Sequence, residues 1–298
     1  MSHSYQIAFI GHYTKDTIVS SSGVRVVHGG AFNYGANVAS RMGLKVSTVT
    51  RLAEEDAEVI RELEKLGVKT SVTWTPQSTC LKLIYPSDNP DERVISVSSW
   101  AGAFCLEEIF PIEAEKIVIG ASMREEVPQK IIQALARKKS VLAADVQSFI
   151  RINRNGKLVA EPWPEKKEIL PLIEVLKTDA VEAELLTGEK DIKKAALLMT
   201  AMGPREVIIT HKKGVLVLAE GKFYQASFYP QILIGRSGRG DTCLASYMCR
   251  RINASPEEAT IWAAALTSIK MEAEGPFWRS MEDVEKLIQE KYTEIRNP

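Results

Sequence analysis

The feature that most constrains this chain is a recurrence: short runs of β-branched and other apolar residues return along it, with helical patterns between them. The runs are YQIAFI (5–10), VSTVT (46–50), KIVIG (116–120), SVLAAD (140–145), EVLKTD (174–179) and EVIIT (206–210). Continuously apolar strands must be buried on both faces, and strands separated by helices run in the same direction. The expected result is a mostly parallel sheet covered by helices on both sides. The covering helices are legible too. In AEVIRELEKLG, Val59, Leu63 and Leu66 share a face and Gly67 supplies the C-terminal cap. IKKAALLMTAMGP closes in the same way with Gly203 and Pro204.

Two stretches break the alternation. TCLKLIYPSDNPDERVISV (79–97) reads as two extended strands around a Pro/Asp/Asn turn, and GVLVLAEGKFYQASF (214–228) as a hairpin turning near Glu220-Gly221. With the strand candidates at 17–27, the 79–97 segment is expected to build a small sheet that stands off the main body as a lid. No low-complexity linker and no internal repeat interrupts the chain, so one domain spanning 1–298 with a lid is the economical reading.

Charge removes several classes of partner. Lys+Arg and Asp+Glu balance at 38 each, so no overall field favours nucleic acid or an anionic membrane surface. The apolar run after MSHS is too short for a signal-peptide core or a membrane span, and a cytoplasmic protein is expected. Cys80, Cys105, Cys243 and Cys249 lack C-x-x-C spacing and read as reduced thiols. His3, His12, His28 and His211 are too scattered to suggest zinc.

The segment GRSGRGDTCLASY (235–247) has the frame of a phosphate-binding P-loop, with Gly235, Gly240 and Thr242 in place, but Asp241 stands where that loop needs lysine. Residues 241–252 form a plausible helix, which puts Gly238, Arg239 and Gly240 at its N-terminus, where backbone amides and the helix dipole favour an anion. A carboxylate there is also held ionised by the dipole. It has a use if it removes a proton from an alcohol that attacks the bound phosphate.

SGRGDTCLASY resembles the signature D-T-x-G-A-G-D-x-F of the ribokinase/PfkB family of small-molecule kinases, with Gly238, Gly240 and Asp241 matching. Gly235-Arg236 stand in place of the family's Asp-Thr, Arg239 in place of alanine and Cys243 in place of the aromatic. Further segments follow in family order over nearly the whole chain. GHYTKD resembles the opening segment whose Asp grips substrate hydroxyls, here Asp16. GGAFNYGANVASRMG resembles the G-G-x-x-A-N-x-A helix, with Gly29, Gly30 and Gly43 in register; Tyr34 occupies the place of the substrate-binding Asn, leaving that polar role to Asn33 or Asn37. KTDAVEAELLTG resembles K-P-N-x-x-E-x-x-x-L-T-G, which implies that Asp179 and Glu182 belong to the magnesium and phosphate network. THKKG resembles a shortened T-x-G-x-x-G nucleotide turn, implicating Thr210 and Gly214.

The resemblance implies a ribokinase-like three-layer α/β/α fold and an ATP-dependent kinase for a hydroxyl of a small polyol or sugar. Mg2+ would bridge the phosphates and be reached by Glu182 through water, with Asp241 as general base and the amides of 238–240 as anion hole. Arg239 either braces the transferring phosphate or screens Asp241. AADVQSFIR, with Asp145, Gln147 and Arg151, departs from the family's D-x-N-x-R and is most similar to the myo-inositol kinase branch; Gln147 either binds a cyclitol hydroxyl or caps the strand. Many members bind potassium through the Asp that is here Gly235, so potassium activation is expected to be weak or absent. A furanose or nucleoside kinase, or a non-catalytic nucleotide or sugar sensor on the same fold, are the alternatives. Retention of Asp241 and Glu182 argues against the sensor. A monomer or homodimer is expected.

Overall fold

The computed structural model describes residues 4–21, 23–85 and 94–292. Its larger sheet has nine strands in the order Lys222–Ser227, Gly214–Ala219, Glu206–His211, Val175–Asp179, Val141–Asp145, Ala114–Ile119, Tyr5–Ile10, Val46–Leu52 and Lys69–Trp74. Every neighbouring pair from Glu206–His211 to Lys69–Trp74 is parallel; the two edge strands at 214–227 are antiparallel. Each run singled out in the sequence is a strand of this sheet, and Lys69–Trp74 is an additional one. The 214–228 hairpin turns at Glu220 and Gly221, whose φ values are 53° and 72°.

Two apolar layers flank the sheet. Ile7 and Phe9 pack into one with the helices Ala31–Arg41, Arg239–Arg250 and Pro256–Lys270, while Ala8 and Ile10 pack into the other with the helix Gln129–Ala136. Successive side chains of a strand point to opposite faces, so a strand buried on both must be apolar throughout.

The second sheet has six strands in the order Arg151–Arg154, Lys157–Ala160, Val94–Ser99, Thr79–Ile84, Thr14–Ser20 and Gly23–Gly29. The strand candidates at 17–27 are the two arms of a hairpin that extends further at both ends, with Thr14 opposite Gly29 and Ser20 opposite Gly23. The turn expected between the two 79–97 strands falls at 86–93, outside the described residues. Arg151–Arg154 and Lys157–Ala160 were not anticipated as part of this sheet. Their signal is Asn155-Gly156, an Asn-Gly pair with φ of 50° and 81°, the positive values a two-residue hairpin demands. Among the described residues no helix is long and apolar enough to cross a membrane.

Candidate active site

A pocket of about 340 Å³ opens at the N-terminus of the helix Arg239–Arg250, above the C-terminal ends of the strands Val141–Asp145, Val175–Asp179 and Glu206–His211. That edge of a parallel sheet is where ligands of open α/β folds bind. Gln147, Arg151, Lys177, Asp179, Thr210, Arg236, Gly238, Arg239, Gly240 and Asp241 are among the residues that line it. The helix begins two residues earlier than the sequence suggests. Gly238 is its N-cap at φ 74°, a conformation costly for any residue with a Cβ, and a Cβ there would overlap the Tyr34 ring. The first amides of the helix precede its first closing bond, from Thr242 N–H to the Gly238 carbonyl at 2.9 Å, so the turn offers N–H groups to an anion.

Beneath Gly240 lies the Lys177 side chain, in the space that a Cβ on Gly240 would need. Lys177 Nζ donates to Asp145 Oδ2 at 2.7 Å, and both residues are buried. Burial opposes the ammonium, but Asp145, Glu182 and Asp179 outweigh it and hold Lys177 above its ordinary pKa. A fixed positive charge therefore underlies the glycine turn. Sequence reading passed over Lys177 although KTDAVEAELLTG opens with it; burying a lysine at the end of an apolar strand was the available signal.

Asp179 and Glu182 form a reciprocal cap on the helix Ala180–Thr187. Asp179 Oδ1 accepts from the Glu182 amide at 2.8 Å, and Glu182 Oε2 accepts from the Asp179 amide at 3.0 Å. The other Glu182 oxygen accepts from Arg151 Nη2 at 2.9 Å. Burial pushes the Glu182 carboxyl up, but Arg151 and Lys177 override it and hold the group below its ordinary value. Each Glu182 oxygen thus accepts one hydrogen bond, from Arg151 and from the Asp179 amide. Among the described residues no three His, Cys, Asp or Glu converge as a metal cage.

Asp241 lines the pocket and also faces the opposite side. A Cβ on Gly120 would lie 4.0 Å from Asp241 Oδ1 and would overlap Ala31, the first residue after the Gly29-Gly30 turn. Gly30 (φ 96°) passes so close to the His12 carbonyl that a Cβ has no room, and a Cβ on Gly29 would lie 2.8 Å from Asp16 Oδ2. Asp16, Gly29, Gly30, Ala31, Gly120 and Asp241 thus succeed one another in close approach. Burial raises the Asp241 carboxyl above its ordinary value, against Lys177, Arg151 and Lys270.

Other expected residues are placed differently. Asn33 Nδ2 donates to the His28 carbonyl at 3.0 Å and Asn33 Oδ1 accepts from Asn37 at 3.0 Å, so the two asparagines brace each other and the turn. Gln147 lines the pocket, its amide N–H donating to Asp145 Oδ1 at 3.1 Å and its side chain to the Ala121 carbonyl at 3.3 Å. Thr210 lines the pocket, with Oγ1 donating to the Thr178 carbonyl at 3.4 Å. Gly214 does not line it: it pairs with Ser227 in the edge hairpin, where a Cβ would overlap the Ala226 carbonyl. His211 and Lys212 reach the pocket in its stead.

An anion cradle with a carboxylate beside it suits phosphoryl transfer to an alcohol, and the chain is a phosphotransferase with an alcohol group as acceptor. It belongs to the pfkB family of carbohydrate kinases, whose pattern matches residues 4–277. The chain is similar to a pyrophosphate-dependent kinase in the ribokinase family solved as a sulfate complex, at 36% identity over 94% of this chain and 99% of that one, TM-score 0.88. It is similar also to a pyrophosphate-dependent kinase of that family complexed with a pyrophosphate analog and myo-inositol, at 35% identity over 94% and 100%, TM-score 0.87. Cytidine kinase of Thermococcus kodakarensis is 25% identical over 264 residues, which cover 86% of this chain and 91% of that one.

Proposed function

We propose that the chain transfers a phosphoryl group from inorganic pyrophosphate to a hydroxyl of myo-inositol or a close polyhydroxylated ring. The observation that carries the donor is the pocket lining. Arg151, Lys177, Lys212, Arg236 and Arg239 surround a space of about 340 Å³ whose aliphatic lining is Ala180 and Val181. A purine is held largely by apolar and aromatic contact, whereas a compact tetra-anion needs cations and amides. This reading replaces the ATP that the family resemblance implies, and the pyrophosphate-dependent relatives support it. The acceptor is held by Asp16, Gly29, Gly30 and Gln147 in this reading, under the second sheet as a lid, and their carboxylate and amide groups suit adjacent ring hydroxyls. Asp145, expected from the sequence to bind substrate, is fully buried with its oxygens engaged by Lys177 and the Gln147 amide instead.

The acceptor hydroxyl gives its proton to Asp241 as its oxygen attacks one phosphorus of pyrophosphate, and the bridging P–O bond breaks to release orthophosphate. The amides at Gly238 and Gly240 and the Lys177 charge beneath them receive the charge that develops on the transferring oxygens. Arg239 and Arg236 brace the donor. Mg2+ would supply further neutralisation of the phosphates, held by Asp179 and, through water, by Glu182.

The test is a two-way matrix. Pyrophosphate and ATP are each combined with myo-inositol, ribose, fructose and cytidine in the presence of Mg2+, and products are followed by phosphorus NMR. The highest kcat/KM is expected for pyrophosphate with myo-inositol. A higher value for ATP overturns the donor, and a higher value for ribose, fructose or cytidine overturns the acceptor.

A further inference from the structure

The loop that enters the anion cradle is held by a cation belonging to the chain itself. The helix Pro256–Lys270 turns its last side chain inward: Lys270 is 2% exposed, and its ammonium donates to the carbonyl oxygens of Gly235, at 2.9 Å, and of Ser237. The Tyr34 ring centroid lies 5.4 Å from Lys270 Nζ, and the same ring fills the space beside Gly238. Gly235 is fixed from its other side as well. Its amide donates to the Met271 carbonyl at 3.0 Å, and a Cβ there would overlap the Ala273 carbonyl.

Peptide geometry turns this grip into an effect on the pocket. Two carbonyl oxygens directed at one point repel each other unless a positive charge stands between them. In a trans peptide the carbonyl and the following N–H point in opposite directions. Directing the Gly235 and Ser237 carbonyls at Lys270 therefore directs the amides of Arg236 and Gly238 away from it. Both of those residues line the donor pocket, and Lys270 does not.

We propose that Lys270 is a positioning residue for phosphoryl transfer, a tethered ammonium that turns the Arg236 and Gly238 amides towards the donor and does the work of an inorganic monovalent cation. The inference deepens the function proposed above and rests on it. Burial draws the ammonium down to about 8, Glu274 and Asp241 support its charge, and Arg239 opposes it, so it is charged at neutral pH.

The probe is imidodiphosphate, a non-transferable analogue of pyrophosphate, titrated calorimetrically into the full chain at constant ionic strength in potassium, ammonium or tetramethylammonium chloride. The wild type is expected to bind with the same affinity in all three. Lys270→Ala opens room for a small cation. It is expected to bind about tenfold or more weakly in tetramethylammonium, as the loss of a charged hydrogen-bonding group implies, and to recover in ammonium or potassium. In turnover, its kcat falls with little change in the acceptor KM. Unaltered binding by the variant overturns the proposal, as does a loss that no small cation restores while near-ultraviolet circular dichroism stays that of the wild type. The wild-type arm needs no folded variant: affinity that rises about tenfold when potassium replaces tetramethylammonium also overturns it. Should the wild type bind imidodiphosphate in no salt, it is the pyrophosphate reading that fails, and the same salts and variant are then compared with ATP.

Discussion

Lys177 and Asp145 form a 2.7 Å ion pair directly under the backbone of Gly240, in a layer where both side chains are buried. Removing one partner of such a pair strands the other charge, and Lys177→Met is expected to cost about 3–5 kcal/mol of stability. Lys177→Met combined with Asp145→Leu should recover much of that loss without recovering donor affinity, since the charge beneath the turn stays absent. Chemical denaturation with donor titration on the single and double variants separates the two effects.

Asp241→Asn is expected to lower kcat by about 10²–10⁴ while donor affinity stays near that of the wild type. The base must be ionised, and burial raises its pKa. Activity is therefore lost as pH falls, beginning above the ordinary aspartate range. A pH–kcat profile in the wild type, with donor binding measured for the variant, tests both statements.

Glu126 is fully buried and 3.7 Å from His12 Nδ1; burial pushes its carboxyl up to about 8 and draws His12 down to about 3. Between the unfolded glutamate value and about 8 the folded chain holds a proton that the unfolded chain has released, so Glu126 makes stability fall as pH rises. His12 acts oppositely up to its ordinary value of 6.5, the unfolded chain there binding the proton that the fold excludes. From pH 6.5 to 8 only the Glu126 effect remains of this pair, at most about 1.4 kcal/mol per pH unit. Glu126→Gln should flatten that slope in melting temperatures taken across the interval.

Gly214→Ala is expected to cost about 1–3 kcal/mol in stability through its clash with the Ala226 carbonyl and to leave the donor KM unchanged. A raised donor KM with unchanged stability would restore the nucleotide-turn role that the sequence suggested for Gly214.

Gln147→Ala is expected to weaken discrimination between myo-inositol and a poor acceptor by about 1–3 kcal/mol in kcat/KM, because an amide that bonds a substrate hydroxyl favours the substrate that has one there. An equal loss with both acceptors assigns Gln147 to its bond with the Ala121 carbonyl alone.

The parts of the molecule that were legible beforehand are those where one local rule acts alone. Apolar strands 5–10 and 206–210 belong to the parallel sheet because no other place satisfies them. The placement of Gly238, Gly240 and Asp241 at a helix N-terminus was legible because glycines directly before an amphipathic run mark a helix start. The Glu182 pattern was legible as spacing, but spacing alone cannot show that Asp179 spends an oxygen on the Glu182 amide. Lys270 was hidden for a different reason. A lysine in the last turn of a helix ordinarily faces water and the helix dipole, and only tertiary packing turns this one inward to the Gly235 carbonyl. The strand at 151–154 was hidden because Arg151 also fits the D-x-Q-x-x-x-R pattern of a substrate motif.

That double membership of Arg151 has a mechanical outcome. It begins the outermost strand of the second sheet, and its guanidinium is fastened at 2.9 Å to Glu182 beside the donor pocket. A rotation of that sheet as a rigid plate cannot leave this separation unchanged. Arg151 thereby ties the edge of that sheet to the helix Ala180–Thr187, and whatever displaces one of them acts on the other to the same degree.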